Sequence, residues 1–214
     1  MIRIKLDHIS KRIKRNLVLS DINVEFEGGK IYGLRGRNGC GKTMLMRMIC
    51  GLIIPDEGAV IINGELLHRD IEFPRSIGAL IENPVFLPSY RGFDNLKMIA
   101  SLQKGIDDED IIIALESVGL DPSDRRMYKK YSLGMKQKLG IANAIMGNPE
   151  IIILDEPINA LDEESVDMVK IKLVSLKEEG RLIIIACHDR EELEYLSDEI
   201  IEMRDGSIIG RREL

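Results

Sequence analysis

Two N-terminal segments alternate apolar and polar positions: Ile2, Ile4 and Leu6 within residues 2–9, and Ile22, Val24 and Phe26 within 17–26. That period is the one of antiparallel strands with a single covered face, and the basic run Lys11-Arg12-Ile13-Lys14-Arg15 between them reads as a solvated turn. An apolar stretch at 31–34, a glycine-rich turn and a helix over 44–49 ending near Gly51 come next. Pro55-Asp56-Glu57-Gly58 signals a turn before a short strand at 59–64. A buried strand is predicted at 76–81, stopped by Glu82-Asn83-Pro84.

From 83 to 131 the period changes. A helix opens at Gly92 with Leu96, Ile99, Ala100 and Gln103 at helical spacing. A second helix runs over 107–118, with an acidic first turn suited to the N-terminal dipole and Gly119 at the C-cap position. Polar linkers at 104–105 and 121–124 separate these helices, so 83–131 reads as an inserted helical subdomain. Continuous β-branched runs then return at 151–154 and 182–186, the mark of parallel strands covered on both faces. Between them a helix over 162–179 carries Val166, Val169, Leu173 and Leu176 on one side and is followed by Gly180. The expected architecture is α/β: a mainly parallel core with an antiparallel β layer (1–82 and 132–214) and a helical insertion, in one domain.

With 214 residues, 44% of them hydrophobic, the chain can bury a full core. A net charge of −6 argues against a nucleic-acid partner, which needs excess Lys and Arg to displace counterions. Cys40, Cys50 and Cys187 are too few and too scattered for a disulfide framework and lack metal-site spacing, which fits a reducing cytosol. Arg3, Lys5 and Asp7 break any apolar leader, and no apolar run approaches the ~18 residues of a membrane span.

The glycine-rich turn carries the first chemistry. Gly36, Gly41, Lys42 and Thr43 fit the spacing G-x-x-x-x-G-K-[ST], with Arg37, Asn38, Gly39 and Cys40 in the interval. Glycines let backbone N–H groups turn inward, and the helix start adds its positive dipole end, so a polyphosphate is held by oriented amides. Lys42 is then expected on the β/γ-phosphates and the Thr43 hydroxyl on Mg²⁺. Ligands of such sheets sit beyond the carboxyl ends of the strands, where Asp155, Glu156 and His188 fall. Asp155 suits a second Mg²⁺ ligand, and Glu156 is the natural group to orient or deprotonate an attacking water. Paired carboxylates at a buried strand end repel each other unless a cation compensates.

Tyr131-Ser132-Leu133-Gly134-Met135, followed by Lys136-Gln137-Lys138 and lying about twenty residues before Asp155, looks like a degenerate LSGGQ signature. Ser132 and Gly134 hold the matching positions, while Leu133 replaces the first glycine and Met135 the glutamine. With these motifs the chain resembles the ATPase subunits of ATP-binding cassette (ABC) transporters along essentially its whole length. The resemblance implies a P-loop NTPase fold with a RecA-like core, and ATP with Mg²⁺ as cofactors. It also implies that the Ser132 turn caps the γ-phosphate bound by a second subunit, that 159–162 line the dimer contact, and that His188 contacts the γ-phosphate.

Two positions depart from the family pattern. Glu82 stands where a glutamine is usual and still offers a ligand to Mg²⁺ or water. Ile13 stands near where an aromatic residue usually stacks on adenine. Glu82 together with the Tyr-Ser-Leu-Gly-Met signature is similar to the bacitracin and lantibiotic self-protection branch. The implied function is an ATP-hydrolysing subunit, a homodimer or one of two like subunits, peripheral on the cytoplasmic face beneath a separate membrane permease and powering export. A soluble ABC ATPase of translation or DNA metabolism and a non-hydrolysing regulator are the alternatives. The single cassette, the acidic balance and the Asp155-Glu156 pair weigh against them.

Overall fold

Among the described residues, which are all of 1–214 except His188, the computed structural model contains ten strands and six α-helices. They run in the order β1 (Arg3–Ile13), β2 (Asn16–Glu27), β3 (Lys30–Arg35), α1 (Lys42–Ile49), β4 (Glu57–Ile62), β5 (Glu65–Leu66), β6 (Ile77–Leu80), α2 (Gly92–Ala100) and α3 (Asp108–Ser117). Then come α4 (Leu133–Ile145), β7 (Ile151–Asp155), α5 (Glu163–Glu178), β8 (Leu182–Ala186), α6 (Arg190–Leu196), β9 (Glu199–Arg204) and β10 (Ser207–Glu213).

The alternating N-terminal segments form an antiparallel four-stranded sheet in the order β2-β1-β4-β5. A second sheet has the order β10-β9-β3-β8-β7-β6 and is parallel apart from the β9–β10 hairpin at one edge. Because side chains alternate across a strand, β7 and β8 feed two cores at once. Ile152, Leu154, Ile183 and Ile185 pack with α2 to α6, whereas Ile151, Ile153, Leu182 and Ile184 pack with α1 and the antiparallel sheet. Both strands are buried along their whole length, as continuous β-branched runs require.

Several expectations are corrected. The basic run is not a turn as a whole: β1 continues through Ile13, the reversal is confined to Lys14 and Arg15, and Lys11 reaches Asp56 at 2.6 Å. The strand expected at 76–81 is the edge strand β6, only half-buried, because no further strand covers its outer side. Gln103 lies beyond the end of α2 and is exposed. Sequence reasoning assigned no element beyond 186, yet Glu199–Arg204 and Ser207–Glu213 form the β9–β10 hairpin about Asp205-Gly206, with Ile200, Ile201 and Met203 buried. Fully buried Glu199 is neutralised there by Arg211, which pairs with it through two nitrogens, and by Lys30 at 3.5 Å.

Two close fits place the site. Gly78 of β6 lies so near α4 that an added Cβ would overlap the Ala144 carbonyl oxygen. The loop leaving β6 is fastened to the helical segment: Asn95, 2% exposed, accepts from the Leu87 N–H at 2.8 Å, and the Tyr128 hydroxyl donates to the Pro84 carbonyl at 2.8 Å.

Candidate functional site

The turn after β3 uses positive φ at Gly39 (79°) and Gly41 (110°), angles that strain residues with a Cβ. Gly41 is also confined by the Val18 carbonyl, 2.9 Å from where a Cβ would stand. The turn delivers Lys42 to the first position of α1, buried, with its ammonium donating to the carbonyls of Gly36 (2.7 Å) and Arg37 (3.4 Å). The cation is thus held inside the curl of the loop, where an anion entering the cradle meets it.

Thr43 follows, and its hydroxyl donates to an Asp155 carboxylate oxygen at 2.7 Å. Asp155 is the last residue of β7 and is itself buried. A hydroxyl and a carboxylate are hard oxygen donors of the kind Mg²⁺ takes, so the pair fits that ion. Among the described residues no group of three His, Cys, Asp or Glu is placed to hold a metal.

Glu156 turns away from the strand at φ 52°, its N–H bonded to the Ala186 carbonyl at 2.8 Å. Its own carbonyl accepts from the Gln137 side-chain amide at 2.8 Å, and the Pro157 carbonyl accepts from the same amide at 3.1 Å. Burial pushes the Cys187 thiol up to about 12, and the Glu156 and Glu192 carboxylates add to the rise. His188 lies outside the described residues.

A cleft of about 760 Å³ joins these groups. Lys42, Thr43, Asp155, Glu156 and Glu82 line it, with Asn38, Gly39 and Gly41 of the loop. Ile13, Lys14 and Val18 line it as well, so the end of the basic run faces the cleft in place of bulk solvent alone. Arg37 and Cys40, with Gly36, line a neighbouring cleft of about 570 Å³ on the β9–β10 side. Glu82 (φ 62°) is drawn to α1, where its carboxylate accepts from Arg47 at 2.6 Å.

Ser132, Leu133, Gly134 and Met135 do not line the 760 Å³ cleft. Ser132 caps α4 by accepting from the Met135 N–H at 3.2 Å, and the Leu133 side chain is exposed. Gly134 fits under the 159–162 turn, since a Cβ there would stand 2.8 Å from the Ala160 carbonyl. Asp162 caps α5 through Ser165, whose N–H and hydroxyl hold its carboxyl below the usual range.

Sequence reasoning gave no role to Gln137 or Arg47. Gln137 was legible only as a polar residue on the buried face of a helix, and Arg47 only as a residue one turn after Thr43.

A family model described as ABC transporter matches residues 19–159. An uncharacterised ABC transporter ATP-binding protein of Bacillus subtilis, YybJ, is 46% identical over 96% of this chain and 94% of its own length. The bacitracin transport ATP-binding protein BcrA of Enterococcus faecalis is 40% identical over 96% of this chain and 68% of its own. The lantibiotic transport ATP-binding protein SrtF of Streptococcus pyogenes is 36% identical over 98% and 90%. Among solved structures, a dimeric ATP-binding cassette in a post-hydrolysis state with ADP and phosphate superposes with a TM-score of 0.87 at 22% identity, covering 99% of this chain and 98% of that one. At that identity the likeness establishes the fold.

Proposed function

The chain belongs to the ABC transporter family as an ATP-binding, ATP-hydrolysing subunit, and on that premise we propose how its residues divide the work. The carrying observation is the juxtaposition at one cleft of Lys42 in its carbonyl curl, the Thr43–Asp155 pair and Glu156. The backbone of 36–43 and Lys42 bind the β- and γ-phosphates, and Ile13 and Val18 give the base an apolar contact. Thr43, Asp155 and Glu82 hold Mg²⁺, which when bound neutralises charge on the phosphate oxygens. Glu156 orients and deprotonates the attacking water, and His188 meets the γ-phosphate.

The Ser132 turn stands apart from its own chain's cleft, and that separation supports a trans role. The helix N-terminus and hydroxyl of one copy close on the nucleotide held by another. Closure is a population shift, driven by tighter ATP binding to the closed pair. Among the described residues no helix is long and apolar enough to cross a membrane, and relatives named as transport ATP-binding proteins support work with a separate permease. The subunit sits against that permease on the cytoplasmic face, with the 82–90 loop and the helical segment 83–131 as relay. The relatives named for bacitracin and lantibiotic transport favour export of a peptide antibiotic, lipid or drug-like molecule. The test is Glu156→Gln in purified protein: ATP is still bound and turnover falls by at least about a hundredfold. Turnover at the wild-type rate overturns the assignment.

A further inference from the structure

We infer that Arg47 is a positioning residue that holds the Glu82 carboxylate back from the magnesium position until nucleotide arrives. The inference rests on the reading of the cleft just given and extends it to a residue that reading leaves unused.

Thr43 and Arg47 are four residues apart and share one face of α1. From that face Thr43 reaches Asp155 at 2.7 Å and Arg47 reaches Glu82 at 2.6 Å. The two carboxylates leave neighbouring strand ends, because β6 and β7 pair in parallel with Leu80 opposite Leu154. One helix face therefore holds both acids, one by a hydroxyl and the other by a guanidinium. Glu82 also lines the cleft with Thr43, Asp155 and Glu156, so it has two destinations, the guanidinium or the cation side of the cleft.

Charge gives the pair its use. Three carboxylates around one cleft oppose entry of a triphosphate, and Arg47 offsets the one that stands on the loop. The pair is also exchangeable: its side chains are 31% and 61% exposed, and ion pairs that wet hold only weakly. A cation at Thr43 and Asp155 offers Glu82 a second partner at small cost. Because Asn95 and Tyr128 fasten the same loop to the helical segment, a shift of Glu82 is transmitted to that segment.

The experiment titrates Mg²⁺ into the purified chain with a fluorescent, slowly hydrolysed ATP analogue. It compares wild type, Arg47→Gln, Glu82→Gln and the double variant, and adds amide hydrogen exchange of 82–90 without nucleotide. In Arg47→Gln the Mg²⁺ midpoint falls by about two- to fivefold and exchange of 82–90 speeds up; in the Glu82→Gln background the midpoint shift vanishes. A rise, no shift, or a shift of equal size in both backgrounds overturns the inference. Lys42→Ala serves as control: if it binds the analogue as tightly as wild type, the nucleotide reading has failed and not the role of Arg47.

Discussion

The Gln137 amide donates at 2.8 Å to the Glu156 carbonyl, tying the helix that Ser132 begins to the strand end that carries the proposed base. One buried side chain thus links the helix capped by Ser132 directly to the Glu156 backbone. Gln137→Leu removes the donor to the Pro157 carbonyl and leaves the Glu156 carbonyl with the longer 3.4 Å bond from the Asn159 N–H, a loss of about 1–3 kcal/mol. A lowered melting temperature and reduced turnover with nearly unchanged nucleotide affinity are expected. Unchanged stability and turnover count against the tie.

Lys42→Ala and Thr43→Val separate charge from coordination. Losing the ammonium is expected to weaken ATP at least about tenfold with or without Mg²⁺, since a charge-assisted hydrogen bond is lost. Thr43→Val is expected to weaken binding only when Mg²⁺ is present, and Thr43→Ser to restore it. Isothermal titration in Mg²⁺ and in EDTA distinguishes the two patterns.

What the sequence made legible follows from physics that is local. Gly36, Gly41, Lys42 and Thr43 lie within eight residues, and their spacing made the glycine turn and the start of α1 at Lys42 legible. The β7 and β8 runs are apolar on both faces because both are covered. By contrast, Gln137, Arg47 and Glu199 act on residues 19, 35 and 12 positions away, and no local period records such pairings. The burial of Glu199 in particular has no local signal, since its charge is cancelled only after β10 and β3 bring Arg211 and Lys30 to it. The half-buried state of β6 likewise depends on strand order, which spacing does not encode.

Gly78→Ala tests the packing of α4 on the edge strand. The added methyl overlaps the Ala144 carbonyl, so a loss of about 3 kcal/mol or more is expected, visible as a lower urea midpoint. Gly105→Ala, where the added methyl meets nothing within 4 Å but φ is 83°, is expected to cost less.

Asp162 gives the fold an acid limb. Its carboxyl is held below the ordinary range by the Ser165 hydroxyl and N–H. A depressed folded-state value contributes stability above the unfolded pKa and loses it as pH falls through the folded one. Asp162→Asn keeps a capping side chain but removes that dependence. Its melting temperature is expected to lie below wild type at pH 7 and to converge with it as pH falls below about 4.

The central claim is that a second copy completes the nucleotide site through the Ser132 turn. Sedimentation of Glu156→Gln with and without ATP tests it most directly. The account expects ATP to convert this variant to a dimer, and Ser132→Arg in the same background to leave it monomeric while ATP still binds. A Glu156→Gln protein that stays monomeric with ATP bound, or a dimer indifferent to Ser132→Arg, would contradict it.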